Sequence, residues 1–335
     1  MIFSNKVGID LGTSRTRVYI PRSGIVVDEP TVVARNSQSG KIEAIGQEAL
    51  AMLGRTPDSI EAYYPLKNSV IADFNTTTKL VSHFINKAVG KYRMVQPDVL
   101  LAIPSGATST ERKAALDAVK DAGAKTVHTI PVSLAAALGA HIEVSEPLGN
   151  MVIDLGAGSC EVALLSLGGV VNHSSVRTGG NDISRAITAY VRKMHSLAIG
   201  EATAEELKHT IATATVRSKD KKKSVHGRDL IGGMPKSASL YGNDLLPCVE
   251  TVIEKIVLAV RKVIEHSPPE LVGDIMDHGI MVTGGTANLD GVREAIKRIV
   301  GVPCVLAQDS ELCTIKGVGI ALEKLDDYKR SITPR

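Results

Sequence analysis

One turn is written twice in this chain. VGIDLGTS at residues 7–14 reappears as VIDLGAGS at 152–159, each a strand running into an aspartate and a glycine-broken bend. The similarity extends past the turns. KVGIDLGTSRTRVYIPRSGIVVDE (6–29) and NMVIDLGAGSCEVALLSLGGVVNHS (150–174) share one plan of strand, acidic turn, strand, glycine turn and strand. Each copy reads as a three-stranded meander whose first hairpin tip faces a ligand. A meander present twice implies two related domains facing one another, and 335 residues suffice for two cores.

Composition narrows the class to α/β. Hydrophobic residues make up 44% of the chain but aromatics only 3%, with no Trp, which favours helices on buried parallel strands over a sandwich. A net charge of +3 without basic–aromatic interleaving gives no nucleic-acid footprint. The four cysteines, Cys160, Cys248, Cys304 and Cys313, lack CxxC spacing and read as small apolar residues in a reducing compartment. No charged-then-apolar leader and no apolar run of roughly 20 residues is present, so a cytoplasmic protein with at most peripheral membrane contact is expected.

Between and after the copies the pattern alternates. Helices are expected at 76–89, from the capping box of Thr108 and Glu111 to about Gly123, at 134–140 with Ser133 as cap, at 183–195, from the capping box of Thr203 and Glu206 to about Ala214, after Ser267-Pro268-Pro269, and at 290–300. Strands are expected at 98–103, 126–130 and 280–283. The basic stretch 217–229 reads as a solvated loop, with contact to anionic lipid or a partner as the alternative.

Three glycine turns therefore end strands: 10–14, 154–159 and 283–288. Glycine lets backbone N–H groups approach phosphate oxygens, and the hydroxyls that follow donate further bonds, so the set suits a polyphosphate. A triphosphate needs a divalent cation. Mg²⁺ usually keeps its waters, and Asp10 and Asp154, one from each half, are placed to hold it through them.

These residues carry a resemblance. IDLGTSRTRVY, GIVVDEPTVVA, MLGRTPDSI, PLKNSVIADF, IPSGATSTERKAALDAVKDAGA, GNMVIDLGAGSCEVALLSLGG, IGEATAEELK, PPELVGDIMDHGIMVTGG and KGVGIALEKL resemble the actin, heat-shock chaperone and sugar-kinase superfamily and, within it, the MreB family of bacterial actins, nearly end to end. The resemblance implies an actin-like α/β fold of two domains, each split into a large and a small subdomain around a nucleotide cleft. By that likeness subdomain IA is 1–32, 67–143 and 315–335, IB is 33–66, IIA is 144–179 and 247–314, and IIB is 180–246. It further implies ATP with Mg²⁺, self-assembly into filaments on the inner membrane surface, and partners among the membrane proteins of cell-wall elongation.

Carried over by position, Gly12, Thr13, Ser14 and Arg15 form the first phosphate turn, and Gly156, Ala157, Gly158 and Ser159 the second, with Ser159 able to hold a water. Glu205, Glu206, Leu207 and Lys208 match the adenosine-binding segment. Gly284, Gly285, Thr286, Ala287 and Asn288 match the third turn, and Met94 and Val95 the membrane loop. The chain departs from the family where Ile-Glu-Glu-Pro is usual: Val132 stands at the position of the second Glu, which handles the attacking water. Valine accepts no proton, so hydrolysis is expected to be slow or absent. Arg15 replaces a usual Asn, either gripping phosphate or pointing into solvent. The alternatives are a sugar-kinase-like phosphotransferase, which needs a carboxylate base beside an acceptor pocket, and a non-hydrolysing subunit that copolymerises with an active paralogue. A chaperone-type ATPase would need a substrate-binding domain. A tether for cell-division filaments would need an amphipathic anchor, for which 326–335 is short and polar.

Overall fold

The computed structural model describes residues 6–90, 95–325, 328 and 331–334. The two meanders are strands Lys6–Leu11, Arg15–Ile20 and Gly24–Pro30 in one sheet, and Asn150–Leu155, Cys160–Ser166 and Gly169–Val176 in another. In each, the first strand also pairs in parallel with a later one: Lys6–Leu11 with Asp98–Ile103, and Asn150–Leu155 with Ile280–Thr283. A further parallel strand follows on the far side, Thr126–Pro131 in the first sheet and Cys304–Leu306 in the second. The duplication thus extends to sheet topology, in sheets of six and five strands. Parallel strands need crossover connections, which the intervening helices supply.

Two small sheets extend from this pair. One is built by Val33–Asn36, Ile42–Ile45 and Ile60–Tyr63, the other by Leu197–Ala198, Lys222–Asp229 and Pro235–Tyr241. The second corrects the reading of 217–229 as a loop. Val225 is buried in the middle of its strand and pairs with Ala238, so one apolar anchor and a complete ladder outweigh the basic flanks.

Helix starts were only partly legible. Thr108 and Glu111 form the expected reciprocal cap on Ser109–Asp121. The other two assignments need correction. Glu201–Thr210 begins after Gly200 and makes no side-chain cap, which leaves Thr203 inside its first turn. Ser133 caps nothing: Val132–Gly139 starts after Pro131, whose fixed φ suits a helix entry, and the Ser133 hydroxyl meets that of Ser105 at 3.2 Å. The helix Leu246–Glu265 was not anticipated, although Val249, Val252, Ile253, Ile256, Val260 and Val263 mark its buried face at helical spacing.

What joins the two sheets is a helix pair. Val132–Gly139 and Cys313–Glu323 lie in a core that takes Leu100, Ala102 and Ile130 from the first sheet and Val152, Ala163 and Leu165 from the second. The contact runs backbone to backbone. A Cβ on Gly317 would sit 1.7 Å from the Ala135 carbonyl oxygen, and one on Gly139 would sit 1.8 Å from that of Cys313. Gly317→Ala is therefore expected to cost about 3 kcal/mol or more, read as a lowered urea midpoint. Gly273→Ala, in a helix with open space around that position, is expected to be neutral or stabilising by about 0.5–1 kcal/mol.

Candidate functional site

The carboxyl ends of the strands converge on a cavity of 260 Å³ between the two sheets, where open parallel sheets commonly receive ligands. Its floor is formed by the repeated turns. Each closes with the same bond, Gly12 N–H to Arg15 O at 3.1 Å and Gly156 N–H to Ser159 O at 3.0 Å. The third turn is tied to the second by Thr286 Oγ1, which donates to Gly156 O at 2.9 Å. Small residues are required here. A Cβ on Gly158 would lie 2.4 Å from Thr13 Oγ1, and one on Gly180 would lie 2.6 Å from Thr286 Oγ1 and 3.0 Å from Lys208 Nζ.

Asp10 and Asp154 both border the cavity. Burial raises the Asp10 carboxyl to about 6; Arg17 pulls it down in part and the Asp154 charge pushes it up. Asp154 is likewise raised by burial, against a hydrogen bond from Thr283 Oγ1 at 2.8 Å. Two like charges facing one cavity, Asp154 buried and Asp10 partly buried, favour a divalent cation, which would relieve their repulsion. Among the described residues no three His, Cys, Asp or Glu side chains group as a protein cage for a metal. A pair of carboxylates holding a hydrated Mg²⁺ fits that donor set better than a closed site does.

A different chemistry marks the second domain's edge of the cavity. Lys208 is buried, and its ammonium donates to Glu205 Oε1 at 2.6 Å and to Gly180 O at 3.3 Å. Burial alone would raise the Glu205 carboxyl, but bonds from His209, Lys208 and Ser184 hold it at about 2. The helix Glu201–Thr210 therefore offers a fixed, polarised edge suited to hydroxyl and amine groups.

Thr13, Ser14, Arg15, Ala157, Ser159, Gly284 and Gly285 also border the cavity, together with Val132 at the first turn of its helix. Glu206, Leu207, Ala287 and Asn288 do not: Leu207 is fully buried in the second domain's core, Glu206 faces Lys223 at 2.5 Å, and Asn288 donates to Ser310 at 3.0 Å. Arg15 borders the cavity with a partly exposed side chain that is engaged within its own sheet. It reaches across the meander to Asp28, with Nε to Oδ1 at 2.7 Å and Nη2 to the carbonyl at 2.8 Å. Met94 lies outside the described residues, and Val95 is half exposed.

Arg17, Ser69, His209 and Glu161 also border the cavity and are not among the site residues read from the sequence. Arg17 stands opposite Asp10 on one side and Asp28 on the other in the meander register, lying 3.9 Å from the Asp10 carboxylate. Only the register reveals it. Glu161 pairs across the hairpin with Asp154 and is fully buried beside the cavity. It accepts from Ser175 Oγ and from the Ser105 N–H at 3.0 Å. Burial still dominates and lifts its carboxyl to about 7. The folded protein thus keeps this proton while the unfolded chain releases it near 4.5. The resulting stability is complete below that value and is lost as pH rises through 7, by about 3 kcal/mol. Glu161→Gln is expected to remove this part of the pH slope of thermal stability between pH 4.5 and 7; an unaltered slope would place its source elsewhere.

The family model for the MreB/Mbl protein matches residues 4–330. The chain is 43% identical to the cell shape-determining protein MreB of Haemophilus influenzae, with 97% of this chain and 95% of that protein aligned. It is 37% identical to the cell shape-determining protein Mbl of Bacillus subtilis, covering 97% and 98%. The crystal structure of MreB 5 of Spiroplasma citri bound to AMPPNP superposes with a TM-score of 0.92 at 32% identity over 98% and 99% of the two chains. The same protein bound to ADP superposes equally well. A MamK double helical filament shares the fold, with a TM-score of 0.81 at 16% identity over 95% and 99%. With a sheet plan duplicated around a glycine-lined cleft and a family match along nearly its whole length, this chain belongs to the MreB/Mbl family of actin-like cell-shape proteins.

Proposed function

We propose that this chain binds ATP with Mg²⁺ in the cleft and polymerises into filaments that work at the inner face of the cell membrane with the cell-wall elongation machinery. One observation carries the nucleotide reading: two carboxylates, one from each half, and three glycine turns converge on a single cavity. Support for the ligand class comes from the Spiroplasma relative, solved with AMPPNP and with ADP, and support for self-assembly from the filament-forming neighbour. The subdomain limits given above are part of this reading. The glycine turns orient the phosphates, Lys208 and Glu205 fix the nucleoside edge, and Asp10 and Asp154 hold the hydrated cation. When bound, Mg²⁺ supplies charge neutralisation at the phosphates.

A nucleotide held by both halves restrains the cleft, so binding itself favours the conformation that assembles. Hydrolysis is a separate matter. Val132 presents methyl groups to the cavity at the position where the family carries a carboxylate, and Ser159 can orient a water without taking its proton. General-base assistance contributes on the order of 10²–10⁴ in rate, so turnover is expected to be low while binding persists. No helix of the described residues is long and apolar enough to cross a membrane, so attachment rests on peripheral contact through the segment that includes Val95. A few apolar side chains per subunit are too weak alone and act through the many subunits of a filament.

Pelleting with ATP and with a non-hydrolysable analogue is expected to yield polymer in both cases; absence of nucleotide-dependent polymer counts against the filament reading. Val132→Glu is expected to raise phosphate release by about tenfold or more. Brisk release by the unaltered protein would show that another group serves as base. For Asp154→Asn, nucleotide affinity is expected to fall about tenfold in the presence of Mg²⁺ and much less with the cation chelated, as titration calorimetry would register.

A further inference from the structure

A short hairpin places a residue between the two phosphate turns. Strands Leu66–Lys67 and Val70–Ile71 pair so that Lys67 faces Val70, leaving Asn68 and Ser69 as a two-residue loop. Both loop residues have positive φ, 50° and 62°, as a type I′ turn requires. The second position of such a turn is ordinarily glycine, because a side chain there is strained, and strain of this kind persists where the surrounding structure uses it.

The Ser69 side chain has a defined place. Its N–H donates to Thr13 Oγ1 at 2.8 Å, and its Oγ lies 2.7 Å from Ser159 Oγ and 3.5 Å from Thr13 Oγ1. One hydroxyl thereby meets the first phosphate turn of one domain and the second phosphate turn of the other. The approach depends on Gly158, where a Cβ would lie 3.0 Å from the Asn68 Cα. All three hydroxyls border the main cavity. Ser69 and Ser159 also border a smaller cavity that no residue of the helix Glu201–Thr210 reaches, which places them at the end of the cleft away from the nucleoside edge.

Their protons show what this end accepts. The bond between Ser69 and Ser159 uses one of their two hydroxyl protons, so the pair has one left to donate. Thr13 Oγ1 accepts from a backbone N–H, and its contact with Ser69 Oγ takes one proton more, so one of the three hydroxyl protons stays available to donate. The cluster therefore offers a donor beyond its internal bonds, an arrangement that fits an acceptor-only, anionic group.

We infer that Ser69 determines nucleotide specificity: its hydroxyl, held against Ser159 and seated by Thr13, binds the terminal phosphate of a nucleoside triphosphate and sets the preference for triphosphate over diphosphate. The inference rests on the cleft being the nucleotide site and goes beyond it by naming the group that distinguishes the two ligands. Thr13 acts here as a positioning residue, through the Ser69 backbone.

The test uses the full chain with Mg²⁺, measuring affinity for ADP and for a non-hydrolysable ATP analogue in Ser69→Gly and Ser69→Ala. Glycine suits the backbone and keeps the N–H bond to Thr13, so Ser69→Gly is expected to melt no lower than the parent, which keeps loss of the hydroxyl apart from loss of the fold. A hydrogen bond to a charged group warrants a fall of about tenfold in the ratio of triphosphate to diphosphate affinity in both variants, with ADP affinity little changed. Equal weakening of both ligands would reduce Ser69 to a stitch between the halves and overturn the inference. So would a ratio that stays within about twofold, rises, or drops only in the alanine variant, where strain remains. If the parent protein binds neither nucleotide, the cleft reading itself fails; if it binds both and only the ratio result is negative, the failure belongs to Ser69 alone.

Discussion

The cleft depends on two helices that touch backbone to backbone beneath it. Gly139 and Gly317 remove the side chains that would hold Val132–Gly139 and Cys313–Glu323 apart, and the pair locks into residues from both large sheets. Close packing of this kind is stiff, since a methyl group has nowhere to go. The same helices start at the cavity wall, with Val132 at the head of one and Thr314 near the head of the other. Any change in the angle between the domains must therefore be accommodated by this joint, and the groups around the nucleotide site move with it.

Charge in the cleft is arranged around an unfavourable pair. Asp154 is buried and Asp10 partly buried, each with a raised carboxyl, and the protein supplies only partial relief through Arg17 and Thr283. Arg17 is shared, since it also lies 3.2 Å from Asp28, which in turn holds Arg15. The chain of pairs Asp10, Arg17, Asp28 and Arg15 runs along neighbouring strands of one meander and ties Arg15 to Asp28 at the border of the cavity. A residue that looks like a new phosphate ligand in the sequence thus also serves as a partner within the sheet. On the second domain, Lys208 and Glu205 satisfy one another, so that edge is polar without being unpaired.

In the proposed reading, Val132 and Glu161 let one site retain binding geometry while lacking a group for chemistry. Val132 removes an acceptor from the cavity wall. Glu161 is a carboxyl beside the same cavity, but its oxygens are engaged by Ser175 and Ser105 and its burial favours the proton-bound form. The turns, the hydroxyls and the two aspartates are unaffected by either feature, which is why nucleotide binding and hydrolysis separate in this reading.

The sequence by itself determined the doubled meander, the three glycine turns and the alternation of helices with buried strands, because these follow from local periodicity and from the few residues that tolerate tight turns. It also set Asp10, Asp154 and Val132 at strand ends and a helix start, where short-range rules place them. It was silent or wrong where a contact spans the chain. Residues 222–229 of the stretch 217–229 became a strand because Val225 found a buried site opposite Ala238. Ser133 lost its cap to a partner 28 residues away. Arg17 acquired its role from strand register, and Ser69 from a hairpin inserted between turns 56 and 90 residues distant. Pairings of that kind are fixed by packing the whole chain into one shape, and no local pattern carries them.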